Sequence, residues 1–161
     1  AQHAFLALGA LERAYDGAPD AKAATDALEV NTQALGELIG GAYGAAAKQT
    51  FLDQWHAHIG YLVSYTVGVA KKDMGAQDAA KKALDGYVAM HGAFLAKATG
   101  LPVDAVRAQL RMHVDELMAT VDAYAAGRYA QAATGLRTAY AHMYETGDAL
   151  AGGIIAVKGL S

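Results

Sequence analysis

Apolar residues recur every three or four positions along most of the chain. That is the spacing of an amphipathic helix, not the alternation of a strand. Phe51, Trp55, His58, Leu62, Tyr65 and Val69 form one such stripe. Val106, Leu110, His113, Leu117, Val121 and Tyr124 form a second, and Leu84, Val88, His91 and Leu95 a third. Turn signals separate the stretches: Asp16-Gly17-Ala18-Pro19, Gly40-Gly41 with Gly44, Lys71-Lys72-Asp73-Met74-Gly75, Thr99-Gly100-Leu101-Pro102 and Ala126-Gly127-Arg128. The pattern predicts six helices over about 2–16, 20–40, 45–72, 76–98, 103–126 and 129–157. Short connections make neighbours antiparallel. The expected fold is therefore all-α: one domain over 1–161, an antiparallel bundle in which an N-terminal hairpin packs on a four-helix core.

A weak internal repeat runs through the pattern. His3, His58 and His113 stand 55 residues apart, twice. Each opens a helix–turn–helix stretch, and an Ala/Leu segment follows after the turn: Ala24 to Leu28, Ala80 to Leu84 and Ala133 to Leu136. Ala-rich helices resemble one another by chance, but the equal His spacing argues for three related hairpins.

Composition narrows the possible functions. The chain has 161 residues, 54% of them hydrophobic and 18% charged, with a net charge of -3. That is too apolar for disorder and lacks the basic face a nucleic-acid binder needs. The longest stretch without Asp, Glu, Lys or Arg, Gln54 to Ala70, is 17 residues long and contains two His. It reads as a buried helix rather than a membrane span. There is no Cys, so thiolate metal sites, disulfides and cysteine nucleophiles are excluded. The lack of Cys fits a periplasmic, cell-envelope or secreted location. The opening Ala1-Gln2-His3 suits the stub of a cleaved signal peptide, or an arbitrary start.

The histidines carry the candidate chemistry. Reflection through the turn near 127–128 brings His113 level with His142. Reflection through the turn near 73–74 brings His58 within one turn of His91, and the turn near 100–101 brings His91 within one turn of His113. His58, His91, His113 and His142 should therefore share one layer, while His3 falls level with the region of Asn31. Imidazoles in an apolar layer cost free energy unless satisfied, and convergence on a metal ion satisfies them. Glu116 follows His113 by three on the same helix face and adds a carboxylate. The expected ligands are His58, His113 and His142, then His91, His3 and Glu116. Met90, Met112 and Met143 adjoin His residues, a hint toward copper, with zinc, iron or nickel also suited to imidazole. Storage, sequestration or delivery of metal is the expected role.

Other readings compete with this one. A lone core His is commonly a hydrogen-bonded packing residue, and a helical module with packed His would bind no metal. Haem ligated by His58 or His113, with Met143 or another His opposite, would give a Soret band. Ala1-Gln2-His3 as a free terminus would suit square-planar Cu(II) or Ni(II), but not with His3 on a helix. His56 should face away from His58 and lie at the surface. Trp55, Tyr61, Tyr65, Tyr87, Tyr124 and Tyr140 read as core and rim packing.

Motifs for other chemistries are missing. The nearest approach to a Glu-x-x-His di-iron motif is Asp53-x-x-His56, and no His-Glu-x-x-His occurs. Phosphate-binding Gly loops are absent, and Ser occurs only at 64 and 161. Taken together, Asn31-Thr32, Gly40 to Gly44 with Tyr43, Trp55-x-x-His58-Ile59, Tyr65-Thr66, His113-Val114 and His142-Met143 with Asp148 resemble an uncharacterised family of extracytoplasmic bacterial all-helical proteins. The resemblance covers nearly the whole chain. It implies an exported helical bundle and draws attention to His3, His58, His113 and His142. His91 departs from the family pattern, and the resemblance supplies no activity.

Overall fold

Good helix formers dominate the chain, with 39 Ala among its 161 residues, and they leave the turns to Gly, Pro and Asp. The computed structural model describes residues 1–159. Its helices are α1 (Gln2–Asp16), α2 (Ala21–Tyr43), α3 (Ala45–Ala70), α4 (Met74–Thr99), α5 (Val103–Ala125) and α6 (Tyr129–Lys158). There is no strand among the described residues. Gly17 and Gly100 close α1 and α4 at φ 61° and 71°, left-handed values that cost a side-chain-bearing residue free energy. Asp73 caps α4 by accepting from the Ala76 N–H at 3.0 Å, so that helix starts two residues before its expected position.

Consecutive helices pack against each other as an up-and-down bundle. The first hairpin docks on the α3–α6 core through α1, which packs on α3, α5 and α6, while α2 packs on α1 and α3. The three odd-numbered helices meet pairwise. Two tyrosines tie them together: Tyr65 donates to Asp122 at 2.8 Å, joining α3 to α5, and Tyr124 donates to Asp16 at 2.7 Å, joining α5 to α1. The main core draws Leu8 and Leu11 from α1, Leu62 from α3, Leu84 from α4, and Val114 and Leu117 from α5. A smaller cluster of Ile39, Phe51 and Leu52 sits between α2 and α3.

One helix runs further than the turn signals suggest, and another reaches its expected end through a glycine pair. α2 passes through Gly40-Gly41 to Tyr43, and α6 passes through Gly152-Gly153 to Lys158. Gly153 is there for contact, since a Cβ on it would lie 2.7 Å from the Thr99 carbonyl oxygen. The stretch Gln54 to Ala70 lies within α3. No helix of the described residues is long and apolar enough to cross a membrane.

Candidate metal centre

The stripe periodicity turns His3, His58 and His113 inward on α1, α3 and α5. All three are buried, His58 completely. One ring nitrogen from each lies within 4.8 Å of the others. Ring centroids are 5.4 Å apart for His3 and His58, and 6.0 Å apart for His3 and His113. The three residues spaced by 55 in the sequence are thus the three that meet.

Their surroundings are aromatic and apolar. Trp55 packs on His3 at 4.6 Å and edge-on to His58 at 4.8 Å. Tyr87 stacks on His58 at 4.6 Å. None of the six ring nitrogens of His3, His58 and His113 has a hydrogen-bond partner. A buried polar group left in this state costs about 1–3 kcal/mol. The Trp55 carbonyl lies near His58 and slightly favours its protonated form, without reaching hydrogen-bond geometry.

Burial keeps these rings neutral. Desolvation holds the pKa of His3 and of His113 down at about 3. His58 is held well below its ordinary value by burial first, and then by the neighbouring imidazoles His3, His113 and His91. A neutral imidazole presents the lone pair that a metal ion requires. Metal–nitrogen bonds of about 2.0–2.1 Å would place three ligand nitrogens about 3.3–3.6 Å apart, so the rings need to close by roughly 1 Å. Side-chain rotation supplies a movement of that size.

The other expected ligands are placed beside this group but serve other partners. His91 is fully buried and stacks on Tyr87 at 5.0 Å, with its Nδ1 2.8 Å from Gln54 Oε1. Its Nε2 has no partner, and burial lowers its pKa to about 3. The ring nitrogens of His142 lie 3.0 Å from Glu116 Oε2 and 2.6 Å from Gln109 Oε1. His142 is close enough to His113 to bear on its protonation, but neither it nor Glu116 belongs to the converging group. His56 is exposed and pairs with Glu29 at 2.8 Å, as its offset from His58 predicts.

Sequence reasoning overlooked the partners Gln54 and Gln109. Each stands four residues before a triad His, Gln54 before His58 and Gln109 before His113, and each reaches across to a His on the following helix. That shared Gln-x-x-x-His spacing was the available signal. The terminal Cu(II) arrangement does not apply, because His3 lies on α1 with its ring packed on Trp55. Comparison of the chain with models of known families, with curated proteins and with solved structures finds no match.

Proposed function

We propose that this protein binds one transition-metal ion through His3, His58 and His113. The observation carrying this reading is the convergence of three buried, neutral imidazoles whose six ring nitrogens have no protein partner. A core selected only for packing would place Leu or Phe there at lower cost. An ion satisfies one nitrogen of each ring and draws the three together.

The donor set is imidazole alone. Such a site suits copper, zinc, iron or nickel, and intrinsic affinity runs highest for Cu(II). We therefore place copper first. Three imidazoles meeting at one point favour a bare ion over haem, whose axial ligands face each other across a macrocycle and leave no room for a third. One ion per chain fits sequestration or delivery better than bulk storage. We keep the extracytoplasmic setting that the lack of Cys suggests.

The test is a titration of tag-free, metal-stripped protein with Cu(II) and Zn(II), read by calorimetry and by the fluorescence of Trp55, the single tryptophan. At one hundred times Kd, bound metal adds about 2.7 kcal/mol and raises Tm by roughly 5–10 °C. His58→Ala with His113→Ala should abolish both signals, while His142→Ala should leave the stoichiometry at one. Unchanged affinity in the double variant would show that the ion binds elsewhere.

A further inference from the structure

The triad is not complete as a metal site. Three neutral imidazoles leave a divalent ion with both its charges in an apolar setting, and buried charge needs a counter-charge. No Asp or Glu of the described residues joins the converging group. The nearby acid Glu116 is committed to His142. An ion held there would draw its remaining ligand from outside, and an anion would supply the counter-charge.

A half-enclosed cleft of about 410 Å³ adjoins the triad, a volume within the range of small-molecule sites. Its walls come from α2, α3, α4 and α6 and include Leu35, Ile39, Phe51, Leu95, Leu150 and Ile154. Of the three triad imidazoles, only His3 lines it, beside Trp55. No charged side chain lines the cleft, and Ala1 brings its amino group to the wall. Trp55, whose Nε1 is a buried donor without a partner, contributes to the same wall.

We infer that the cleft takes an apolar monocarboxylate, a medium-chain fatty acid or an aryl-alkyl acid. Its carboxylate completes the coordination of the ion held by His3, His58 and His113, and its tail lies along the α2, α3, α4 and α6 walls. One carboxylate oxygen would face the ion. This rests on the metal reading above and gives it a ligand class.

The experiment compares decanoate with decanol on two forms of the protein, metal-free and Zn(II)-loaded, with excess Zn(II) removed. Uptake of Zn(II) alone is measured first. Decanoate should bind the loaded form at least roughly tenfold more tightly than the metal-free form, while decanol binds both equally. Gly147 lines the cleft, and a Cβ there would meet nothing within 4 Å, so Gly147→Phe fills the cleft without a clash at Cβ. That variant should lose decanoate and keep its Zn(II) affinity. Zn(II) uptake with no metal-dependent preference for decanoate, or decanoate binding undisturbed by Gly147→Phe, would overturn the inference and leave the metal reading standing. A protein that takes up neither Zn(II) nor Cu(II) would end both.

Discussion

His58 is the residue on which the site turns. It has no exposure, touches His3, Trp55 and Tyr87, and holds two ring nitrogens without partners. A side chain kept for stability would be satisfied; this one is costly. His58→Leu keeps an apolar side chain of similar bulk and removes both unpartnered nitrogens. We expect metal-free His58→Leu to gain about 1–3 kcal/mol by urea unfolding and to lose the metal-induced rise in Tm. A drop in metal-free stability would mark His58 as a satisfied packing residue and count against the site. The sequence showed this residue through its stripe position and through the 55-residue spacing. It also placed His91 and His142 near the same layer, but not the direction of their rings. Reflection through a turn gives height along the bundle and says nothing of rotation about the helix axis. That rotation sends His91 to Gln54 and His142 to Gln109 and Glu116.

Among the elements, the stripes and turn signals located all six helices and most of their ends. The largest misplacement, the end of α2, falls at the glycine pair Gly40-Gly41. A Gly-Gly pair in a sequence reads as a break, because it costs helix free energy. In α6 the pair sits inside the helix, and its two members differ in kind. A Cβ on Gly153 would lie 2.7 Å from both the Cβ and the carbonyl oxygen of Thr99 at the end of α4, whereas a Cβ on Gly152 would meet nothing within 4 Å. The close approach of α6 to Thr99 also sets the wall of the cleft, which Thr99, Ala151 and Ile154 share. Gly153→Ala should therefore cost about 1–3 kcal/mol by overpacking, since a backbone oxygen cannot swing aside. Gly152→Ala should gain roughly 0.5–1 kcal/mol from helix propensity. Urea unfolding of the two variants side by side checks the assignment, and equal effects would remove the reason given for the close approach. No sequence pattern distinguishes these neighbours, because the partner of Gly153 lies some fifty positions away in the chain.

Over the whole molecule, burying neutral imidazoles makes stability depend on acidity. His3, His91 and His113 have pKa values lowered to about 3, and that of His58 is also well below its ordinary value. In the unfolded chain the same groups titrate near 6.5. Above that pH both states are neutral at these four positions, and the contribution to stability is complete. Below it, the unfolded chain takes up protons that the folded chain refuses, so stability falls with falling pH until the folded values are reached. Four such groups give a limiting slope of about 5 kcal/mol per pH unit, against a total stability of about 5–15 kcal/mol for an ordinary domain. Metal-free protein should therefore lose its helical circular dichroism cooperatively between about pH 5.5 and 4. Bound metal, which occupies three of the rings in the folded state alone, should move that transition to lower pH. His58→Leu removes one of the four proton sinks, so the pH dependence of its unfolding free energy should be shallower by about a quarter. A metal-free protein that remains folded at pH 3.5, with the same slope in both chains, would mean that these rings reach water, and the case for a buried triad would fail with them.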